Sequence, residues 1–405
     1  MLQRRTVASA ATRPKLPPTA PRAYFCPRQL PSNQSPAASA MASHDFRSDT
    51  VTTPTAEMLA ALAQALSHGD DVYHESHATN SFQAFIADLF QKPAALFVAS
   101  GTMGNQLSLK SLEPRGPYSI ICDKRAHVYA WEANGVGLLS SAMLTPVFPE
   151  NGIHLTLEDI KRGIVLEDIH TAPTKIISLE NTLNGTILPI EDLIEISKLA
   201  KDHGIKVHLD GARLWNASVA SKVSLSEYAK HVDTISVCFS KGLGAPYGSV
   251  ILGDEETIKM ARWYRKAIGG GVRQSGLLAA AARAAYDNIF PTLQRTHEIT
   301  LALSNYIADL GYELLLPVQT NMILLRYPDF NEIDKEAKKA GIKLGNGRIV
   351  MHHQISEDAI DKLKNVLRRC ARGGHKGFGG NSAIEIQRTS RIDSVGSGYG
   401  SLKRQ

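Results

Sequence analysis

Lys241 stands in Phe239-Ser-Lys-Gly-Leu-Gly244, at the end of an apolar run with the character of a buried strand. A lysine so placed, followed by glycines, can reach into a cleft and form a Schiff base with an aldehyde cofactor. Alone, such a lysine is ordinarily just solvated. Asp210, in His208-Leu-Asp-Gly-Ala-Arg213, lies one strand–helix–strand unit earlier and also follows a strand-like run. An acid in that place keeps the ring nitrogen of a pyridine cofactor protonated, which makes the ring an electron sink. A lone aspartate would cap a helix; the Asp–Lys pair at successive strand ends is less easily explained that way. Ser100-Gly-Thr-Met-Gly-Asn105 sits between a strand signal ending near Ala99 and an apolar helix over Leu107–Leu112. Free backbone N–H groups and the helix dipole suit that turn to phosphate. It lacks the Lys-Ser/Thr of a nucleoside-triphosphate loop and the GxGxxG of a dinucleotide fold, so a compact phosphate ester fits best.

These residues need a frame that brings strand ends together. Short apolar runs recur at Ala95–Ala99, Ser119–Cys122, Lys175–Leu179, Lys206–Leu209, Thr234–Phe239 and Gly248–Leu252. Helical periods separate several of them, as over Ile190–His203, where Gly204 is the expected stop. The alternation predicts an α/β fold whose mostly parallel sheet is covered by helices. In such sheets ligands lie outside the carboxyl ends of the strands, where Lys241, Asp210 and Ser100 fall. After Gly276 a helical stretch runs to about Leu310. Strand signal returns at Asn321–Arg326 and helix near Asn331–Ala340, which reads as a small C-terminal α+β domain. The expected divisions are 1–43 as a disordered or targeting extension, 44–290 as the large domain with an N-terminal active-site segment, 291–370 as the small domain, and 371–405 as a flexible basic tail.

Hydrophobic residues make up 43% of the 405 and charged residues 21%, the proportions of an ordinary globular protein. The net charge of +6 belongs to the ends. Residues 1–40 carry six bases and no acid, residues 368–405 eight bases and two acids, and the remainder is net acidic. That gives no support to a nucleic-acid partner for the core. No apolar run approaches a membrane helix. Cys26, Cys122, Cys238 and Cys370 are scattered without a CxxC pair, which points to reduced thiols and away from a zinc site; no metal is expected. The acid-free, Arg-bearing first forty residues have the composition of a transit peptide, although their prolines limit any amphipathic helix. The expected location is the cytosol, with mitochondrial import through residues 1–40 as the alternative and Met41 as an internal start.

Seven motifs, in order, carry a resemblance. They are Phe46-Arg-Ser-Asp-Thr-Val-Thr52, Gly69-Asp-Asp-Val-Tyr73, Ser100-Gly-Thr102, Ser178-Leu-Glu-Asn-Thr182, Val207-His-Leu-Asp-Gly-Ala-Arg213, Ser240-Lys-Gly-Leu-Gly244 and Gly269-Gly-Gly-Val-Arg-Gln-Ser-Gly276. Over roughly residues 45–370 the chain resembles the low-specificity L-threonine aldolases, which are fold type I pyridoxal-phosphate enzymes. The resemblance implies that β-hydroxy-α-amino acids are cleaved to glycine and an aldehyde. It implies that Lys241 carries the cofactor, that Asp210 pairs with the pyridinium nitrogen, and that Arg213 lies near the phenolic oxygen and the substrate carboxylate. His127 would stack on the ring; Gly101, Thr102 and Ser240 would surround the phosphate. Ser48 and Arg348 would hold the substrate carboxylate with Arg213, and His170 would be a second active-site histidine. His127, His170 or a bound water would take the β-hydroxyl proton. Lys266 and Arg273 resemble residues supplied by a neighbouring subunit, which implies a homodimer or homotetramer with active sites at the subunit interface. Leu183 departs from the family, many of whose members have histidine there; leucine can neither exchange a proton nor donate a hydrogen bond. Trp131 lies in a region that varies among relatives, so the erythro/threo preference stays open. β-Elimination and alanine racemisation are the competing reactions on the same fold, since fold alone does not choose among them.

Overall fold

The computed structural model describes residues 42–65, 69–113, 115–326, 330–345 and 347–372; the expected extension before residue 42 and the tail from residue 373 lie outside these. Among the described residues the strands are β1 (Ala94–Val98), β2 (Tyr118–Asp123), β3 (Ala142–Val147), β4 (Thr174–Glu180), β5 (Lys206–Gly211), β6 (Thr234–Cys238), β7 (Ser249–Gly253), β8 (Glu313–Leu314), β9 (Met322–Arg326) and β10 (Arg348–Val350). The α-helices are α1 (Ala56–Gln64), α2 (His77–Phe90), α3 (Gly101–Leu112), α4 (His127–Ala130), α5 (Leu157–Gly163), α6 (Ile190–Asp202), α7 (Leu214–Ser221), α8 (Leu225–Lys230), α9 (Glu255–Ala267), α10 (Gly276–Ile289), α11 (Leu293–Asp309), α12 (Phe330–Lys339) and α13 (Glu357–Arg372).

Seven strands form one sheet in the order β1-β7-β6-β5-β4-β2-β3. β3, β2, β4, β5 and β6 pair in parallel, while β7 runs antiparallel to both β6 and β1. β1 therefore points the same way as β6, and the carboxyl ends of β1, β2, β4, β5 and β6 share one edge. Neighbouring residues of a strand enter opposite cores: Ile121 and Ile177 join the large cluster, Ile120 and Ile176 a second one. Both faces are thus buried, as a parallel sheet requires.

The helices that cover it follow from local signals. α2 buries Phe82, Ile86 and Phe90, spaced by one turn each. α6 buries Leu193, Ile196 and Ala200 and ends before Gly204, whose φ of +65° lies in the left-handed region that glycine adopts without strain. Trp215 of α7 is buried against the rings of Phe90, Phe239, Tyr286 and Phe290 at 5.3–6.0 Å between centroids. The expected continuous helix from Gly276 to Leu310 is two helices separated by a 3₁₀ turn over Phe290–Thr292. Pro291 has no N–H to continue the first helix, but it fits the start of the 3₁₀ turn that leads into the second.

The second layer is an antiparallel sheet in the order β10-β9-β8, packed with α11, α12 and α13. Its core includes Phe46 as well as Leu303, Ile323 and Leu363. The Phe46 N–H donates to the Lys343 carbonyl at 2.9 Å, and the Val350 N–H donates to the Phe46 carbonyl at 2.9 Å. Residues 45 and 46 therefore belong to this layer, although they open the chain segment that leads to the large sheet. That anchorage sets Ser48 and Asp49 between the two layers.

Candidate active site

Each strand end at the shared edge delivers one part of the site. After β1, Ser100 caps α3: its hydroxyl accepts from the Met103 N–H at 3.2 Å. Gly101 and Thr102 open the helix, whose first-turn N–H groups and dipole favour an anion. Gly101 cannot be replaced without a shift, because a Cβ would lie 2.7 Å from the Cys238 Sγ of β6. After β6 come Ser240 and Lys241, so the candidate phosphate turn and the candidate cofactor lysine are brought together.

Asp210 is the last but one residue of β5 and is 3% exposed. Its Oδ1 accepts from the Ala212 N–H at 2.9 Å and its Oδ2 from the Asn105 amide at 2.7 Å. Among the described residues no lysine or arginine forms an ion pair with it. A buried carboxylate held by neutral donors is costly unless a cation reaches it, and a protonated ring nitrogen is such a cation. Asn105 spends both amide protons, one on Asp210 and one on Glu132 (2.9 Å), so its oxygen accepts from His208 Nε2 at 3.1 Å. His208 Nδ1 then accepts from the Thr234 hydroxyl at 2.9 Å. Burial pushes His208 down to about 4, so it remains the neutral prop beneath Asp210.

His127 follows β2. Its N–H donates to Glu180 Oε2 at 2.8 Å, and its Nδ1 lies 2.8 Å from Glu132 Oε1. Burial lowers its pKa, but the Glu132 hydrogen bond and the charges of Asp210 and Glu180 outweigh this and leave it raised. Glu180 ends β4 directly opposite Asp210 in the parallel register. Burial and the Asp210 charge push Glu180 up to about 8 against the opposing pull of His127 and Lys241.

Arg213 leaves the same strand end as Asp210 and turns to Asp49, donating from Nε at 2.8 Å and from Nη2 at 2.6 Å. Asn321 adds a donor to Asp49 at 3.3 Å. Arg348, at the start of β10, donates to the Arg47 carbonyl at 3.0 Å, and burial and the Arg213 charge lower its pKa. Two guanidiniums and the Lys241 amine therefore face one carboxylate, leaving a net positive pocket suited to a substrate carboxylate. Ser48 is buried beside it, its hydroxyl accepting from the Thr50 N–H and Oγ1 at 3.3 and 3.0 Å.

Burial pushes the Asp49 carboxyl up, but Arg213, Lys241 and Arg348 overcome this and hold it at about 2 rather than the usual 3.8. A depressed folded-state pKa contributes stability above the unfolded value that is lost as pH falls through the folded one. Asp49→Asn is expected to cost about 3 kcal/mol at pH 7, because Arg213 is left uncompensated. It should also flatten the loss of stability between about pH 4 and pH 2. Denaturant midpoints of both proteins at pH 7, 4 and 2 check both effects.

The structure brings Lys241, Asp210, Arg213, His127, Gly101, Thr102, Ser240, Ser48 and Arg348 to one region. It does not bring His170, Lys266 or Arg273 there within this chain. His170 lies on an exposed turn, its backbone N–H donating to Asp168 Oδ1 at 2.8 Å. Lys266 is exposed in the last turn of α9. Arg273 is exposed and pairs with Asp70 at 2.9 Å. Leu183 is buried, lining a small cavity of about 20 Å³ with Glu180, Leu155 and Leu188. Sequence reasoning missed the supporting residues Asp49, Asn105, Glu132, Glu180 and His208. All but Glu132 sit inside motifs noted above, so position within a motif was the available signal.

The groups present fit pyridoxal phosphate: a buried acid lacking a cation, a lysine, an anion-binding helix start packed too closely for a side chain, and a cationic carboxylate pocket. Comparison with known proteins agrees. The family model described as "Beta-eliminating lyase" matches residues 45–328. A probable low-specificity L-threonine aldolase of Schizosaccharomyces pombe is 48% identical over 343 residues, 84% of this chain and 91% of that protein. The chain belongs to the low-specificity L-threonine aldolase family. A second member, from Eremothecium gossypii, is 43% identical over 371 residues, covering 89% of this chain and 96% of that protein. Among solved structures a threonine aldolase of Leishmania major superposes with a TM-score of 0.70 over 81% of this chain and 99% of that one. At 21% identity this likeness speaks to fold alone, and the fold is that of the type I pyridoxal-phosphate enzymes.

Proposed function

We infer that this protein is a pyridoxal-phosphate-dependent lyase that cleaves L-threonine, L-allo-threonine and related β-hydroxy-α-amino acids, reversibly, to glycine and an aldehyde. The observation that carries the reading is the shared strand edge, where Lys241, the cation-poor Asp210 and the Arg213–Arg348 pocket meet. The cofactor supplies, when bound, a conjugated ring that accepts the electron pair released at Cα. Lys241 would hold the cofactor through its amine. Asp210 keeps a proton on the ring nitrogen. Arg213, Arg348 and Ser48 hold the substrate carboxylate and so fix which Cα bond is set apart for cleavage. His127 takes the β-hydroxyl proton as the aldehyde leaves, and a proton returned to Cα completes glycine.

The assignment to His127 rests on its place beside Asp210 and Glu180. His127→Phe keeps an aromatic ring and removes both nitrogens. We expect kcat for glycine release to fall about 10²–10⁴-fold, the usual worth of a general base, with the visible cofactor absorption retained. An unchanged kcat would pass the proton to water or to His170.

We propose a homodimer or homotetramer with sites at the subunit interface. The exposure of Lys266 and Arg273 supports it, as do their neighbours in the fold. Tyr73, beneath the Arg273 guanidinium at 6.0 Å, is 69% exposed, and Trp263 of α9 is 65% exposed. Sedimentation of the purified protein gives the stoichiometry. No helix among the described residues is long and apolar enough to cross a membrane. A cytosolic site of action is proposed; comparing the location of the full chain with that of a chain starting at Met41 tests it against import.

A further inference from the structure

Glu132 is a carboxylate with no exposed side-chain surface. Three donors converge on its two oxygens: the Asn105 amide on Oε1 at 2.9 Å, His127 Nδ1 on the same oxygen at 2.8 Å, and the Gln106 amide on Oε2 at 2.6 Å. No lysine or arginine among the described residues forms an ion pair with it. A carboxylate in that position acts as acceptor only, so the proton between it and His127 sits on Nδ1. The other ring nitrogen, Nε2, is left with a free lone pair. Asn105 ties this arrangement to the cofactor acid, because its second amide proton goes to Asp210 and its oxygen is fixed by neutral His208. Neither Asn105 nor Glu132 can turn without breaking bonds to the other. The chain of contacts His208–Asn105–Asp210 and Asn105–Glu132–His127 therefore has a single consistent set of donors.

We propose that Glu132, held by Asn105, is a positioning residue that fixes His127 as the Nδ1–H tautomer and sets the pH at which its Nε2 can accept the substrate's β-hydroxyl proton. This rests on the aldolase reading and on His127 as the proton acceptor. The charged groups facing His127 are Glu132 beyond α4, Asp210 at the end of β5 and Glu180 at the end of β4. Of these only Glu132 bonds the ring itself. Glu132→Gln keeps an acceptor for Nδ1 but removes the negative charge. Once the Gln106 amide, which donates to Glu132 in the wild type, is flipped, its Oε1, which has no hydrogen-bond partner in the wild-type packing, accepts from the new amide, so the shape is preserved. Glu132→Asp keeps the charge and withdraws it from the ring.

The test is the pH profile of kcat/KM for L-threonine with holoenzyme. Glu132→Gln should move the acidic limb down by about one pH unit, since loss of a neighbouring negative charge lowers the His127 pKa. Glu132→Asp should lower kcat with its acidic limb close to that of the wild type. Limbs at the wild-type position in both variants, or shifted alike in both, would overturn the proposal. A measurement independent of variant folding is the ¹⁵N spectrum of histidine-labelled wild-type holoenzyme, with His127 assigned through His127→Phe. An Nδ1-protonated neutral ring supports the proposal and an Nε2-protonated one overturns it. If wild-type protein releases no glycine and acetaldehyde, the aldolase reading fails, whatever tautomer the spectrum shows.

Discussion

Lys241→Ala is expected to abolish visible cofactor absorption in the purified protein and to lower glycine release from L-threonine by about 10⁴-fold or more, the scale on which removal of a covalent-catalysis side chain acts. The size of the effect follows from position. Lys241 leaves β6 at the edge where β1 brings the Gly101–Thr102 helix start and β5 brings Asp210. Its amine contributes to holding the Asp49 carboxyl down, which places it in the same electrostatic field as Arg213 and Arg348. A solvated surface lysine would do none of this, and its loss would leave both spectrum and rate unchanged. Absorption from 300 to 500 nm, read with glycine release before and after addition of pyridoxal phosphate, separates the two cases.

The second large effect is expected at Asp210. Asp210→Asn keeps the side-chain shape and an oxygen for the Ala212 N–H, but it points an amide at the amide of Asn105 and removes the charge that keeps the ring nitrogen protonated. A fall in kcat of about 10²–10³-fold is expected, the cost of removing one preorganised electrostatic contact. Asp210 has no ion-pair partner of its own among the described residues, so the loss should appear in turnover and cofactor affinity rather than in the fold. A holoenzyme midpoint lowered only modestly, through the lost Asn105 bond and weaker cofactor binding, alongside the far larger kinetic loss, is the expected pattern. A large drop in stability with unchanged kcat would instead make Asp210 a structural cap.

Much of this was readable before any coordinates. The strand runs and intervening helical periods gave the parallel sheet, because a strand buried on both faces carries consecutive apolar residues, as Ile176-Ile177 of β4 and Val250-Ile251-Leu252 of β7 do. The edge that carries the site followed from which residues come just after those runs. The β3 strand, Ala142–Val147, went unread because it is an edge strand, half-exposed and carrying Pro146, with neither continuous apolar character nor clean alternation. The break at Phe290–Thr292 was hidden in a sequence whose helical period resumes after it. The supporting contacts were unreadable for a different reason: they join distant segments. Arg213 meets Asp49 across the two layers, and Asn105 of α3 meets Glu132 from the turn after α4 and both Asp210 and His208 from β5. A sequence pattern shows which face of an element is apolar, but it does not show which polar groups meet when faces pack. The roles of His170, Lys266 and Arg273 came from resemblance, and within one chain these residues stand at the surface.

The most direct test adds excess L-threonine to purified wild-type protein reconstituted with pyridoxal phosphate and follows the absorption spectrum together with both products. A visible band that changes on addition, with glycine and acetaldehyde released in equal amounts, is the expected result. A band that changes while neither product forms, or while ammonia or the D-enantiomer accumulates instead, would contradict Cα–Cβ cleavage as the reaction of this site.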